Sequence, residues 1–338
     1  MSKTPLIRNS EVATYKECRL KWWWAYVQRL ESIEARGPLA LGTLVHGAME
    51  KWYVKGKKRR GRNLHDHVPR VHAELVASGQ LPHANVMHNP VTGSGGDPIH
   101  IVDLATEMLK NYQDEYGRDD HLEVVAPEMT FAVEVRDRKN KLIGIAVGQI
   151  DLTVFDHNVK RFGFLEHKTG ADLRPFGAPE HMDEQNGMYW TYGPIYLEHM
   201  GIIQDQAMIE FLRYNRLAKN ISVDTREVND EGLRLNKDGT VSKNQPVDKF
   251  LRSTVYRTVH QRVALDKRFT DVAKEMELVR RKKLPVYKMP GRQCSYCEFK
   301  DACEVHEADE DYRSVLAATT KKWDPYAEHK ETEVQIRA

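Results

Sequence analysis

Residues 148–168 read GQIDLTVFDHNVKRFGFLEHK. β-branched and aromatic residues fill both ends of this segment, and the Asp-His-Asn in its middle is typical of a turn. The pattern therefore predicts two neighbouring strands joined by a short turn, with Asp151 on the first and Glu166 on the second. Lys168 follows Glu166 by two residues, so it points to the same face of its strand. Two carboxylates and a lysine are thus expected to lie side by side.

This group of three residues suits metal-assisted hydrolysis. Carboxylate oxygens are the ligands that Mg²⁺ and Mn²⁺ prefer, and a hydrolytic metal both stabilises charge on a phosphate and acidifies the attacking water. Lys168 can reach the same water or phosphate. However, acidic and basic residues at strand ends also form ordinary solvated pairs that contribute little free energy. The three residues alone leave both interpretations open.

The flanking sequence extends the two strands into a mixed α/β core. Extended and helical patterns alternate on both sides of the central pair, and we find no internal repeat. The predicted elements are strands at Val124–Ala126, Thr130–Val135, Leu142–Phe155 and Arg161–Glu166, a helix at Glu180–His199, a strand at Ala207–Tyr214 and a shorter one near Ile221–Val228.

Helical patterns precede and follow this core. Two helices are predicted on either side of the Gly37-Pro38 break, residues 64–100 are expected to be largely irregular, and a helix is predicted at Ile101–Tyr116. A long helix from about Val247 to Lys282 leads into a cysteine-bearing loop. We therefore divide the chain into a helical N-terminal region (1–121), a core (122–246), a C-terminal helix with the cysteine loop (247–310) and a polar tail (311–338).

Composition and charge exclude several classes of protein. The 338 residues are 41% hydrophobic and 30% charged, with a mean hydropathy of −0.62, which is typical of a globular chain. The sequence contains neither an apolar run of membrane-spanning length nor the apolar segment of a signal peptide, so we expect a cytoplasmic protein without membrane contact. A phosphate loop of the GxxxxGK[ST] type is also absent, which argues against ATP-driven activity. With 51 basic and 49 acidic residues, any affinity for nucleic acid must come from local features.

Four cysteines form a second candidate site. Cys294, Cys297 and Cys303 fall within ten residues, and Cys18 is the remaining one. In a reducing compartment such a cluster favours a metal centre over disulfides. Thiolate ligands suit both an iron-sulfur cluster and a four-cysteine zinc site, and spacing alone leaves the two open.

Four elements of the core resemble the motifs of the PD-(D/E)xK superfamily, in that superfamily's order. They are Glu128, the GxID element at Asp151, the ExK element at Glu166 and Lys168, and a QxxxY element at Gln185 and Tyr189. The resemblance implies a restriction-endonuclease-like fold in which Asp151 and Glu166 bind metal and Lys168 is the catalytic lysine. It also implies that Gln185 and Tyr189, one helical turn apart, face DNA or brace the active site.

Residues 41–50, LGTLVHGAME, resemble the GxxxHxxxE helix of RecB-type exonucleases. This resemblance implies that His46 is a third metal ligand. It also implies that the backbone carbonyl of His167 is a further ligand, while the side chain of His167 is expected to point to the opposite face of the sheet.

The segment SEVATYKECRLKW around Cys18 resembles the N-terminal cysteine motif of RecB-like nucleases that carry an iron-sulfur cluster. In those proteins one distant cysteine joins three C-terminal ones. The resemblance implies a four-iron four-sulfur cluster held by Cys18, Cys294, Cys297 and Cys303, in a C-terminal lobe that ties the two ends of the chain together; zinc is the alternative.

Taken as a whole, the resemblance implies a Mg- or Mn-dependent DNA nuclease. Its nearest patterns are RecB-like exonucleases and stand-alone CRISPR-associated nucleases, including phage versions, which act on single-stranded DNA or free DNA ends. Protein partners in recombination, repair or CRISPR adaptation would follow. The alternative is a non-catalytic DNA-binding accessory protein that keeps the fold and the cluster; the complete set of metal-binding and lysine residues argues against it.

Two basic runs and one aromatic run complete the candidates. Residues 55–62 and 280–283 are plausible DNA contacts, although basic runs are more often solvated faces. Three consecutive tryptophans, Trp22 to Trp24, cannot all lie on one side of a helix. Core packing is favoured for them over stacking on DNA bases.

Overall fold

A computed structural model describes residues 4–33, 37–81, 100–170, 173, 180–218 and 249–329, with short pieces at 229–231, 233, 235–236, 238–243, 332 and 334. Its helices are α1 Asn9–Glu17, α2 Arg19–Trp22, α3 Gly37–Trp52, α4 Val68–Ala77, α5 Ile101–Tyr116, α6 Glu184–His199, α7 Val259–Arg280, α8 Lys300–Glu307 and α9 Tyr312–Thr319. Its strands are β1 Leu6–Ile7, β2 Leu30–Ser32, β3 Leu122–Arg136, β4 Leu142–Asp156, β5 Arg161–Gly170, β6 Ile209–Ala218, β7 Phe250–Val255 and β8 Thr320–Lys322.

A mixed sheet of six strands forms the centre of the molecule, and β4 is its hub. Along one side β4 pairs with the whole length of β3 in an antiparallel hairpin. Along the other side it pairs with two strands, β1 in parallel at Ile145 and Ala146 and β5 antiparallel from Leu152 to Asp156. β5 then pairs in parallel with β6, and β6 antiparallel with β7. Residues 147–151 of β4 therefore lie between its two partners on that side.

Helices cover both faces of this sheet. Helices α3, α4 and α5 pack on one face against side chains that include Leu165 and Phe211. Helices α1, α6 and α7 pack on the other face against side chains that include Ile150 and Phe164. Because apolar side chains alternate between the two faces of each strand, both layers of helices bury a continuous hydrophobic core.

A third, smaller core joins the two ends of the chain. Leu20 and Trp24 from the N-terminal segment pack against Phe299, Ala302 and Leu316. Next to this core, β2 and β8 form a two-stranded antiparallel ribbon. The described part of the expected polar tail thus contains a helix and a strand that pack against the N-terminal segment.

The mixed α/β class, the central hairpin and helix α5 are confirmed. The two strands predicted at residues 124–135 are one strand, β3, with a register shift after Val124. The strand predicted at Ala207–Tyr214 runs from Ile209 to Ala218. The predicted strand at Ile221–Val228 lies outside the described residues.

The prediction of a single helix from Val247 to Lys282 is wrong. Its first part is strand β7, which pairs with β6, and α7 begins only at Val259. The Thr258 side chain accepts from the Gln261 N–H while the Gln261 side chain accepts from the Thr258 N–H, which forms a capping box. This Thr-x-x-Gln signal is readable in the sequence and marks the helix start.

Two N-terminal predictions are also corrected. Helices do lie on both sides of Gly37-Pro38, but this pair is the start of α3 and not a break outside it, which agrees with the preference of proline for the first turn. Residues 64–100 were expected to be largely irregular, but Val68–Ala77 forms α4, again with a proline, Pro69, in the first turn. Residues 82–99 lie outside the described part of the chain.

Candidate active site

Asp151 and Glu166 lie where strands β4 and β5 separate. The ladder between these strands ends at the pair Leu152 and Leu165, one residue short of both carboxylates. Since it is not paired to β4, the backbone N–H of His167 donates to Oδ2 of Asp151 over 2.7 Å. The separation of the strands thus creates a polar gap in an otherwise apolar sheet.

Glu166 is held by a lysine and a glutamine. Nζ of Lys168 donates to Oε1 of Glu166 at 2.5 Å and to Oε1 of Gln185 at 2.9 Å. Nε2 of Gln185 donates to the same Glu166 oxygen at 3.1 Å and to the hydroxyl of Tyr189 at 2.7 Å. The structure therefore brings together Glu166, Lys168, Gln185 and Tyr189 in one hydrogen-bonded group.

The start of helix α6 explains why Gln185 can take part in this group. The Asp183 side chain caps the helix by accepting from the N–H of Asn186 at 2.9 Å. Gln185 therefore lies in the first turn, at the helix end that faces strand β5. Tyr189 follows one turn later on the same side of the helix.

His46 reaches the site from the opposite layer of helices. Its Nδ1 lies 3.5 Å from Oδ2 of Asp151. Close packing fixes the position of α3, because a Cβ added at Gly47, the residue after His46, would lie 2.6 Å from Val71 on α4. Asp151 is thus flanked by α3, and Glu166 by α6.

The charges in this site shift the pKa values of its groups. Burial raises the pKa of Glu166, and the nearby Asp151 carboxylate raises it further, to about 7. Burial alone would raise the pKa of Asp151, but the charges and hydrogen bonds of His46 and His167 together outweigh burial and hold this pKa below its usual range. Burial would lower the pKa of His46, yet Asp151 raises it to about 9. For Lys168, burial is likewise outweighed by Glu166, so its pKa is raised.

Glu128 borders the site in a strained conformation. Its neighbours Pro127 and Met129 pair with Leu152 and Ile150, which places Glu128 opposite Asp151. Its φ of 43° lies in the left-handed region, which is unusual for a non-glycine residue within a strand. Burial raises the pKa of its carboxyl, and Asp151 raises it further, to about 8. No pattern in the sequence predicts this strained conformation of Glu128.

Two residues that sequence reasoning missed hold the side chain of His167. This side chain lies on the face opposite Lys168, as expected, with its ring centroid 5.8 Å from that of Tyr53. Nε2 of His167 lies 3.3 Å from the amide nitrogen of Asn215. Its Nδ1 nevertheless lies 3.5 Å from Oδ2 of Asp151. Although it points away from Lys168, the imidazole therefore helps to surround Asp151.

The donors of this site suit a divalent cation, although they are not gathered into a finished site. Among the described residues, no three His, Cys, Asp or Glu side chains lie close enough together to hold a metal ion. However, Oε2 of Glu166 is buried without a hydrogen-bond partner. A buried carboxylate oxygen left in this way is costly, and a cation would satisfy it. Oxygen donors and one imidazole fit Mg²⁺ or Mn²⁺.

The four cysteines line one cavity of about 460 Å³. In the sequence, Cys18 precedes the other three by about 276 residues or more. All four are free thiols. Cations border the same cavity: Lys21, and Lys288, whose Nζ donates to the carbonyl of Cys303 at 3.4 Å. Cys18 and the C-terminal cysteines thus meet at one place, between the ends of the chain.

The tryptophans next to Cys18 pack mainly in cores. Trp22 is fully buried, and its indole N–H donates to Glu11 at 2.9 Å. Trp24 is buried as well and stacks on Tyr312, with 5.8 Å between ring centroids. Core packing, the interpretation favoured from the sequence, is confirmed for these two residues.

Comparison with known proteins gives one positive result. The model of the PD-(D/E)XK nuclease superfamily matches residues 9–304, which include the candidate active site and all four cysteines. A search of curated proteins found no match. None of the described helices has the length and apolarity needed to span a membrane. The chain belongs to the PD-(D/E)XK nuclease superfamily.

Proposed function

We propose that this protein is a Mg- or Mn-dependent deoxyribonuclease that hydrolyses phosphodiester bonds as an exonuclease, on single-stranded DNA or at free DNA ends. One observation carries the proposal. Two carboxylates lie at the gap between β4 and β5, with Lys168 bonded to Glu166 and His46 beside Asp151. Carboxylates that only form a solvated surface ion pair stay exposed to water. Asp151 and Glu166 are buried instead, with 8% and 2% of their surface exposed.

His46, Asp151, Glu166 and the backbone carbonyl of His167 are the proposed metal ligands. When bound, the metal would supply Lewis-acid stabilisation of the phosphate and a lower pKa for the attacking water. In the absence of the metal, His46 and Lys168 supply the positive charge that the two carboxylates need.

Lys168 would act as a cation in this mechanism. Its raised pKa keeps it protonated at neutral pH, so it can donate hydrogen bonds to the water or the phosphate but cannot remove a proton while it contacts Glu166. Gln185 accepts from Lys168 at 2.9 Å and would keep its ammonium group directed at the reaction centre. Tyr189 in turn fixes the Gln185 amide.

We also propose that the four cysteines hold a four-iron four-sulfur cluster. The cavity of about 460 Å³ that they line is roomy compared with a single ion, which tetrahedral thiolates bind at about 2.3 Å. Lys21 and Lys288 border the cavity but are paired with Glu17 and Glu307, so the resemblance to cluster-bearing RecB-like nucleases, and not the charge of the lining, supports the iron-sulfur assignment. A zinc centre is the alternative, and visible absorbance of the purified protein separates the two, because zinc thiolates are colourless.

The exonuclease mode and the preference for single strands rest on the resemblance to RecB-like and CRISPR-associated nucleases. The rival function, a DNA-binding accessory protein without activity, shares the fold and the cluster. It does not account for the buried Asp151, Glu166 and Lys168 group, because a protein that only binds DNA has no use for a carboxylate oxygen buried without a partner.

Digestion of end-labelled DNA tests these proposals. Single-stranded and double-stranded substrates, labelled at the 5′ or the 3′ end, are incubated with Mg²⁺, Mn²⁺ or EDTA, with circular single-stranded DNA as the control for free ends. We expect metal-dependent release of nucleotides from linear DNA only. Equal cleavage of circles would overturn the exonuclease mode. If protein with its cysteine site fully loaded with metal cleaves no DNA in either Mg²⁺ or Mn²⁺, the accessory function is favoured.

A further inference from the structure

The two basic runs of the chain differ in what their side chains contact. In the run 280–283, Arg280 bonds to the buried Glu11 and to Glu277. Arg281 donates to Glu277 at 2.7 Å. Arg280 thus ties the end of α7 to α1, whereas Arg281 pairs within α7. Lys282 and Lys283 are exposed and have no carboxylate partner among the described residues. The run 55–62 differs in degree, because five of its six cations are in that situation.

Five cations of the run 55–62 are exposed: Lys55, Lys57, Lys58, Arg60 and Arg62. In the described part of the chain, no carboxylate lies within ion-pair distance of any of these five side chains. Cations held this close repel each other, and none of the described acids neutralises them. We name residues 55–62 the cationic loop.

Hydrogen bonds to residues 119–124 hold the cationic loop in place. Arg59, the one buried cation of the loop, donates to the carbonyls of Asp119 at 2.8 Å and Leu122 at 2.9 Å. Gly56 exchanges two backbone hydrogen bonds with Val124 on β3, at 2.7 and 2.9 Å. Its φ of 94° suits glycine in particular. The exposed cations therefore project from an ordered loop, which lowers the entropy cost of binding a ligand.

The cationic loop lies next to the candidate active site. Val124, which bonds to Gly56, is paired with Val154, three residues along β4 from Asp151. At about 3.3 Å per residue along β4 and about 4.8 Å for each of the two steps from β4 across β3 to Gly56, the loop is anchored on the order of 14 Å from Asp151. At one phosphate per about 3.4 Å of each strand of a duplex, this distance corresponds to about four nucleotides.

We propose that the cationic loop binds the phosphate backbone of nucleic acid a few nucleotides from the scissile bond, without reading the base sequence. The inference rests on the proposed nuclease function, for which it names the surface that holds the substrate. Lysine and arginine side chains on a fixed loop match a repeating anion, and no aromatic side chain of the loop is available for stacking on bases.

Salt dependence of DNA binding tests the proposal. The loop variant carries Lys57→Ser, Lys58→Ser and Arg60→Ser, and the control carries Arg138→Ser, Lys139→Ser and Lys141→Ser. The control residues are also exposed, at the β3–β4 turn that ends with Leu142, nine residues along β4 from Asp151. Both variants lose the same charge, so net charge cannot explain a difference between them. Affinity for a labelled single strand is measured in EDTA over a series of salt concentrations.

We expect the loop variant to reduce the slope of log affinity against log salt by about 2, at about 0.7 for each lost phosphate contact. The control should keep the slope of the unmodified protein. Equal slopes in all three proteins, or an equal loss in both variants, would overturn the proposal. So would loop-dependent binding to phosphatidylserine vesicles with unchanged DNA binding.

The same samples separate this inference from the proposed function. A protein that loses slope in the loop variant but never cleaves DNA with Mg²⁺ or Mn²⁺ would keep the loop assignment and refute the nuclease. If the protein cleaves DNA but the loop variant keeps the salt-dependence slope of the unmodified protein, the loop assignment is refuted and the nuclease function is kept. Equal melting temperatures for both variants would show that neither set of substitutions disturbs the fold.

Discussion

The backbone N–H of His167 donates to the Asp151 carboxylate over 2.7 Å, so strand β5 orients an acid on strand β4 beyond the end of their shared ladder. Asp151→Asn removes the negative charge but keeps the hydrogen bond, because the amide oxygen of asparagine can accept from the same N–H. We expect the metal-free variant to melt within a few degrees of the unmodified protein. Cleavage should fall by about 100-fold or more, since the charge that binds the metal is lost. Near-normal cleavage would remove Asp151 from the active site.

Lys168→Ala should abolish cleavage while DNA binding in the presence of metal remains largely intact. The lysine donates to Glu166 and Gln185. In the proposed mechanism it serves the chemical step, whereas the phosphate backbone would be bound over a wider surface. Cleavage rate and DNA affinity are measured side by side, with the exposed Lys160→Ala as control. A variant that cleaves at the normal rate would refute the assignment of this lysine.

His46→Ala should weaken metal binding at the active site and raise the Mn²⁺ concentration needed for cleavage. His46 lies 3.5 Å from Asp151 and is one of the few proposed protein ligands. Calorimetric titration with Mn²⁺ measures the affinity without any substrate. His157→Ala, at the β4–β5 turn, is the matched control. An unchanged titration would mean that His46 only stabilises Asp151 in the metal-free protein.

Cys18→Ala and Cys297→Ala should have the same phenotype, because both thiols line one cavity between the ends of the chain. We expect loss of visible absorbance, a lower melting temperature and faster proteolysis near both ends. Ser295→Ala, which lines the same cavity without a thiol, is the control. Metal binding by the carboxylates should survive in the folded fraction. Full iron content and normal stability in Cys18→Ala would exclude it as the fourth ligand.

Asp119→Asn should destabilise the protein in a pH-dependent way. The buried Asp119 carboxylate accepts from the Tyr53 hydroxyl at 2.7 Å and from two Arg252 nitrogens at 2.9 and 2.8 Å. Burial alone would raise the pKa of Asp119, but Arg252 outweighs it and the pKa is lowered. Stability from this group is therefore present above the unfolded pKa of about 3.9 and lost as pH falls through the folded value.

Asparagine is the appropriate replacement because Asp119 has a φ of 51°, a left-handed conformation that asparagine also adopts. We expect the variant to lose about 3 kcal/mol in the free energy of unfolding at pH 7, and less at pH 3. Urea denaturation of the variant and the unmodified protein at both pH values measures this loss, with the exposed Asp114→Asn as control. An equal loss at pH 7 and pH 3 would show that the Asp119 charge is unimportant.

The sequence predicts the centre of the candidate site because that part depends on local rules. Alternation along a strand and a short turn are enough to bring Asp151, Glu166 and Lys168 to one place. His46 and Gln185 could be added only through the resemblance to a family, since they come from helices on opposite faces of the sheet. Their contacts with the carboxylates depend on packing that no local pattern describes.

Residues around the site depend still more on tertiary contacts. Tyr53 and Asn215 hold His167 from positions 114 residues before it and 48 residues after it. Glu128 is in a left-handed conformation within a strand, against its local preference. Strand β7 was predicted as helix because its six residues form a strand only by pairing with β6. In each case the partner is remote in sequence and decides the conformation.

The ribbon of β2 and β8 has a consequence for biosynthesis. Leu30 pairs with Lys322, which the ribosome adds about 290 residues later. At about 5 to 20 residues per second, the N-terminal segment exists without its partner strand for on the order of 15 to 60 s. During that time Trp24 lacks the cover of Phe299 and Tyr312. The nascent chain therefore offers an apolar segment to holdase chaperones until residues 299–322 have been translated.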